Sequence, residues 1–255
     1  MEQRDGTAAF TASQDERLLW HSRLAHANHA ILMKLHQFAD GVPKFKPFES
    51  ESSFCEPCTV AKLARTVSRR QPTTKTTRKL ELVHSDVGIM TIASIGGSRY
   101  YVTFTDDKTR YKWTLLMKKK SDLKTTFYAW KQRVENESQE KLQRFRTDGG
   151  GEYTSNSLLD FLFQAGIKHE KTPAYTPEMN GISERLNRTL VEATKAMLYE
   201  AELDDSWWGE AIMTATYLRN LLPTTANPGT TPFEEWKGIR PDLQHLRIFG
   251  SECWV

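Results

Sequence analysis

The sequence predicts an α/β protein: a mixed sheet of five strands flanked by helices, preceded by a small helical segment rich in Cys and His. Three observations carry this. After residue 80, three apolar runs follow one another across short turns and then give way to an alternation of helical and extended patterns. Before that, Cys55 and Cys58 stand in a Cys-x-x-Cys pair downstream of several histidines. Between the two regions runs SRRQPTTKTTRK (68–79), Thr-rich, basic and almost without apolar residues, which is linker chemistry.

Taken in order, residues 1–14 read as a disordered N-terminus and 15–67 as the Cys/His segment, too short to hold a large core without a metal staple. The stretch 68–79 is the basic linker. From 80 to 240 the pattern is that of the main domain. Leu80–Val87, Tyr100–Thr105 (YYVTFT) and Tyr111–Met117 (YKWTLLM) read as an antiparallel meander. Ser121 reads as the N-cap of a helix to about Ser138, with Leu123, Phe127, Trp130 and Val134 at helical spacing. Gln143–Thr147 is a short strand, Asn156–Ala165 a helix closed by Gly166, and Ile167–Glu170 another strand. A loop with Pro173 and Pro177 leads into a long helix, about Gly181–Ala201, and a further helix spans about Ser206–Leu221. This order is compatible with a ribonuclease-H-like fold without singling it out. Residues 241–255 read as the start of a C-terminal extension that is cut short.

Composition sets bounds on function. The 255 residues are 38% hydrophobic and 26% charged, ordinary for a globular protein, which excludes collagen-like and wholly disordered chains. No run approaches a membrane span, and the first ten residues lack the apolar centre of a secretory signal, so the chain reads as soluble and intracellular. Three cysteines cannot build a disulfide framework. The net charge of +3 matters less than its distribution. From Thr59 to Lys79 the chain carries Lys62, Arg65, Arg69, Arg70, Lys75, Arg78 and Lys79 with no acid, and Lys108–Lys120 carries six bases. Such stretches attract phosphate backbones by counterion release, or are simply solvated.

Two constellations carry chemistry. His21 and His26, on a predicted helix, with Cys55 and Cys58 offer two imidazoles and two thiolates, the donor set of a closed structural zinc site. Positions five apart on a helix do not face one ion, so a bend is required; His29 is the alternative second ligand and His36 a weaker one. The other constellation is acidic. Asp86 ends the first predicted strand, and Asp148 ends a later one just before Gly149-Gly150-Gly151. Glu184 falls in the predicted first turn of the long helix, off the stripe of Ile182, Leu186, Leu190, Ala193, Ala196 and Met197, on a face shared with Asn187, Arg188 and Lys195. Three carboxylates so placed can hold two Mg²⁺ (or Mn²⁺) ions, which act as a clamp on an in-line phosphoryl displacement. Asp106, Asp107 and Glu152 are alternative acids that spacing alone does not exclude.

Five motifs in order, WHSRLAHANHAILMKLH with CEPC, HSDVG, RTDGGGEY, TPAYTPEMNGISERLNRTLVEATKAML, and SWWGEAIMTATYLRNLLPT with TPFEEWKGIRPDLQHLRIFG, resemble the integrases of copia-type LTR retrotransposons. The 35 residues between Asp148 and Glu184 match the D,D-35-E spacing of that group. The resemblance runs from about Leu19 to Val255. It implies an RNase-H-like core with Asp86, Asp148 and Glu184 as the Mg²⁺-binding catalytic triad, and a pre-integrase domain with His21, His26, Cys55 and Cys58 on Zn²⁺. It also implies processing of 3′ DNA ends and their joining to target DNA, by a homo-multimer acting on double-stranded DNA in the nucleus, with neither membrane nor small-molecule partners. Asn180, Asn187, Arg188 and Lys195 are then candidate contacts to DNA. A different class of reading is an inert, nucleic-acid-binding remnant of the polyprotein. Two departures stand out: Ala25 where the group often has Gly, which reads as harmless in a helix, and Gly149 where Asn is common.

Overall fold

A computed structural model describes residues 16–45, 55–61, 76–171 and 177–252, and within these not the side chains of 177–182 and 184. The expected disordered stretch 1–14, the first part of the basic linker and the loop before Pro177 lie outside the described residues.

Three short helices come first: α1 (16–23), α2 (His29–Leu35) and α3 (Glu56–Ala61). Asn28 caps α2 by accepting from the Ala30 amide at 2.8 Å, satisfying one of the donors a helix start leaves orphaned. The sheet follows. β1 (Leu82–Ile89), β2 (Tyr100–Asp106) and β3 (Lys112–Met117) form the antiparallel meander, and β4 (Arg144–Thr147) and β5 (Lys168–Lys171) add to the other side of β1 in parallel. The order β3-β2-β1-β4-β5 places β1 at the centre of the expected five-stranded mixed sheet.

Helix α4 (Leu123–Ser138) crosses from β3 to β4, and α5 (Asn156–Gln164) from β4 to β5. Both cover one face, where Val83, Phe104, Phe127, Trp130, Phe145, Leu158 and Leu162 form a closed aliphatic and aromatic core. Phe104 stacks on Trp130 with ring centroids 4.0 Å apart. The other face lies under α6 (Pro177–Glu200) and α7 (Trp208–Leu221), and α8 (Pro232–Lys237) is the last helix among the described residues. The core on this side is shared. Trp20, Leu24, Leu32 and Leu35 of the N-terminal helices pack in one cluster with Leu190, Met197 and Leu198 of α6 and Ile212 and Ala215 of α7. No described helix is long and apolar enough to cross a membrane.

Several boundaries differ from expectation, each for a local reason. β1 begins two residues late because Leu80 sits in a left-handed turn (φ 57°), its amide held by Asp106. Ser121 does not cap α4; the chain enters through a 3-10 turn in which Asp122 accepts from the Lys119 amide. The long helix starts at Pro177, four residues before the expected Gly181. Proline suits the first helical turn, where its missing N–H costs no bond. Asn180 is therefore inside the helix, and Glu184 lies well past the first turn. Helix α8 was not expected; Thr231 caps it and Gly238 ends it at φ 74°.

Candidate functional site

Asp86 and Asp148 come together because of strand register. In the parallel pair β1–β4, Leu82 faces Arg144, Val83 faces Phe145 and His84 faces Arg146. Carried two residues further, the same register sets Asp86, which lies within β1 and does not end it as expected, opposite Asp148, just past the end of β4, on neighbouring strands about 4.8 Å apart. Alternation puts both on one face of the sheet. Val83 and Phe145 point into the core under α4, so Asp86 and Asp148, at the opposite parity, point to the α6 side.

Helix α6 reaches this face through Asn187. Its Nδ2 donates to Asp86 Oδ2 at 2.7 Å, and its Oδ1 accepts from the Thr103 hydroxyl at 3.1 Å. Thr103, buried on β2 opposite Asp86 in the ladder, also lies 3.3 Å from the Asp86 carbonyl. Glu184 stands one turn before Asn187 on the same helix; its side chain is outside the described residues. On the far side, Asp148 Oδ1 accepts from the Gly150 amide at 3.0 Å. Gly149 takes φ 79°, a left-handed conformation that glycine and asparagine tolerate best, which accounts for either residue at this position.

Tyr153 anchors the glycine loop from beneath. It is fully buried, and its hydroxyl is 2.7 Å from the Ser85 hydroxyl. Burial pushes this phenol well above its ordinary value; Ser85 opposes that, while the charges of Asp86, Asp148 and Glu152 reinforce it. Tyr101, whose ring lies against Gly88, is pushed up to about 12 by burial and then by Asp86. The two phenols stay neutral beside the acids.

The three alternative acids have other work. Asp106 is buried and accepts from the Leu80 and Thr109 amides and the Thr109 hydroxyl. Asp107 bonds His84 Nε2 at 3.1 Å and Arg110 at 3.1 Å, and holds the amide and hydroxyl of Thr76. Glu152 faces Lys120 at 3.6 Å. Of the expected DNA contacts, Arg188 and Lys195 are exposed on α6, Asn187 turns its amide inward to Asp86, and the Asn180 side chain lies outside the described residues.

The second cluster lies at the other end of α6. One ligand atom each from His21, His26, Cys55 and Cys58 lies within 4.8 Å of all the others, an arrangement that could hold a metal ion. Cys58 Sγ is 3.2 Å from His21 Nε2, and Cys55 Sγ is 3.4 Å from His26 Nδ1. Zinc's bond lengths at the tetrahedral angle give an N···S edge of about 3.6 Å, so the donor set fits. His21 Nδ1 is 2.8 Å from the Ala27 carbonyl, which fixes the proton there and turns Nε2 to the cluster. His29 stacks on His21, with ring centroids 4.8 Å apart, and is not among the four.

The expected helix through both histidines is corrected. Helix α1 ends at residue 23, and Ala25 and His26 take φ of 50° and 57°. This reversal supplies the bend that the five-residue spacing demands. Ala25 is accordingly not in a helix, and its side chain sits where glycine would relieve backbone strain.

Sequence reasoning missed Thr103, Tyr153, Ser85 and Glu200 as parts of these sites. Tyr153, five residues after Asp148 in GGGEY, was within the quoted motif. Ser85 was likewise within the quoted HSDVG, next to Asp86, whereas Thr103 and Glu200 carry no local signal.

Comparison with known proteins agrees with both halves. Residues 76–177 match the integrase core domain family, a match that stops short of Glu184, and residues 2–63 match the GAG-pre-integrase domain family. The chain is 40% identical over 254 residues to the Retrovirus-related Pol polyprotein from transposon TNT 1-94 of Nicotiana tabacum, covering 96% of this chain and 18% of that protein. It is 37% identical over 235 residues to the corresponding polyprotein from transposon RE2 of Arabidopsis thaliana, covering 92% of this chain and 16% of that one. The chain thus spans less than a fifth of the length of these relatives. A chain of the simian T-cell lymphotropic virus intasome, solved in complex with PP2A regulatory subunit B56 gamma, superposes with a TM-score of 0.54 at 15% identity, covering 73% of this chain and 64% of that one; this similarity speaks for the fold. With a pre-integrase match followed by an integrase-core match, and with these relatives along nearly its whole length, the chain matches the integrase region of copia-type retrotransposon Pol polyproteins.

Proposed function

We propose that this chain carries the polynucleotidyl transferase of its element: it processes 3′ ends of double-stranded DNA and joins them to target DNA in the nucleus. The observation that carries the reading is the β1–β4 register, which carried two residues on brings Asp86 beside Asp148, with α6 tied to Asp86 one turn beyond Glu184. Asp86, Asp148 and Glu184 would hold Mg²⁺ or Mn²⁺, and the hard oxygen donors of the two described carboxylates fit such ions. Bound there, the ions supply Lewis acidity and a more nucleophilic attacking oxygen.

The chain's own residues do the positioning. Asn187 and Thr103 fix the rotamer of Asp86, and the Gly150 amide fixes that of Asp148. The three glycines at 149–151 present no side chain to obstruct an approaching phosphate backbone. Arg188 and Lys195, exposed on α6, and Asn180 in its first turns would serve as phosphate contacts; such contacts set position rather than sequence preference. His21, His26, Cys55 and Cys58 hold Zn²⁺ as a closed, structural site that staples the N-terminal segment. Joining two ends to one target calls for a homo-multimer.

The test is Mg²⁺- or Mn²⁺-dependent nicking and joining of duplex DNA by the purified protein. Asp86→Asn and Asp148→Asn, folded and zinc-loaded, are expected to fall to background. Unchanged joining by either variant overturns the reading. Salt-sensitive, metal-independent DNA binding with no joining by the wild type favours the inert remnant instead.

A further inference from the structure

Glu200 closes α6 and lies against the His/Cys cluster rather than pointing away from it. Its Oε1 accepts the Ser22 hydroxyl, and its Oε2 is 3.3 Å from His26 Nε2. His26 is buried, with Nδ1 turned to Cys55, so the proton of a ligating imidazole resides on Nε2. That nitrogen has no hydrogen bond of good geometry among the described residues, and Glu200 is the acceptor within reach. The neighbouring residue completes the arrangement: Tyr199 donates its hydroxyl to Glu56 Oε1 at 2.9 Å, at the start of α3 between Cys55 and Cys58. The last turn of α6 therefore holds both halves of the cluster, the histidine half through Glu200 and the cysteine half through Tyr199.

We propose that Glu200 is a positioning residue of the zinc site, and that through it zinc occupancy is coupled to the helix carrying Glu184 and Asn187. The proposal rests on the reading of His21, His26, Cys55 and Cys58 as zinc ligands. Outer carboxylates that accept the second ring proton of a ligating histidine fix its tautomer and orientation, and their loss weakens metal binding by roughly 10- to 100-fold. The sixteen residue steps from Glu184 to Glu200 span about 24 Å of continuous helix. Along it, Leu190, Met197 and Leu198 share one core with Trp20, Leu24 and Leu32, so a loosened metal site removes packing from the same helix.

The experiment uses the whole chain. Zinc affinity is measured by competition with a chromophoric chelator for wild type, Glu200→Ala, Glu200→Gln and Ser22→Ala, and amide exchange along residues 190–200 is followed with and without chelation. Glu200→Ala is expected to bind zinc roughly 10- to 100-fold more weakly. Glu200→Gln, which keeps an acceptor oxygen, recovers most of the loss. Ser22→Ala, which removes one anchor of the carboxylate and serves where the Glu200→Ala protein does not fold, weakens binding about fivefold, the worth of one hydrogen bond. Chelation is expected to speed exchange along residues 190–200 in the wild type. Wild type that binds zinc with Glu200→Ala and Ser22→Ala unchanged overturns the proposal alone, as does exchange in α6 indifferent to chelation. Wild type that binds no zinc removes the underlying reading and the proposal with it.

Discussion

Ala25 and His26 show how much a single backbone conformation decides. Both lie in the left-handed region, and a residue with a Cβ is held there at a cost of about 1–2 kcal/mol. Ala25→Gly is expected to stabilise the zinc-loaded protein by about 1 kcal/mol, seen as a rise of about 2–4 °C in Tm. An unchanged or lower Tm would contradict the strain argument. Asn187 is the second decisive residue. A hydrogen bond to a charged acceptor is worth about 1.5–3 kcal/mol. Asn187→Leu should therefore slow metal-dependent joining by roughly 10- to 100-fold while leaving duplex DNA binding, followed by fluorescence anisotropy, intact. Parallel loss of binding and joining would make Asn187 a DNA contact and not a clamp on Asp86. The grouping of the four His/Cys residues was legible from their neighbours in sequence, and so was the placing of Asp86 and Asp148 on or beside separate strands. The Asn187–Asp86 bond was not, because it joins positions 101 residues apart and nothing local to either announces it.

At the scale of elements, the junction of α4 with β4 rests on a carboxylate. Glu135 is buried, contacts Lys131 and Lys141 at 2.9 Å each, and accepts from the Leu142 amide at 3.0 Å. Burial alone would raise its carboxyl; the two lysines and the amide outweigh that and hold it below the ordinary value. A depressed carboxyl binds its proton less readily folded than unfolded, so its contribution is present above the unfolded value, near pH 4.3, and is lost as pH falls below it. The urea midpoint of the wild type should thus drop more steeply below pH 5 than that of Glu135→Gln, and equal slopes would contradict this. Element order, the meander and the buried stripe of α6 were readable because periodicity reports burial directly. The early start of α6 and the 3-10 entry to α4 were not, since proline's tolerance in a first turn and the choice between Ser121 and Asp122 as cap are settled by packing.

For the whole molecule, the sheet sets the spacing of two acids and the long helix joins two sites. The strand register is what makes Asp86 and Asp148 neighbours, and α6 carries Asn187 at one end and Glu200 at the other. Sequence patterns separated a Cys/His segment from a sheet domain, and the linker between them suggested a tether. The shared core of Trp20, Leu24, Leu32, Leu190, Met197 and Ile212 packs the N-terminal helices onto α6 and α7. That contact arises from apolar positions that serve equally well as an internal core in a sequence pattern, which is why it was not foreseen. We propose that Asp86, Asp148 and Glu184 form one working metal site. It is tested most directly by disintegration of a branched DNA resembling the joined product, with Mg²⁺ or Mn²⁺, comparing wild type with Glu184→Gln. Resolution of the branch by wild type only is the expected result; resolution by both, or by neither when both are folded and zinc-loaded, would contradict it.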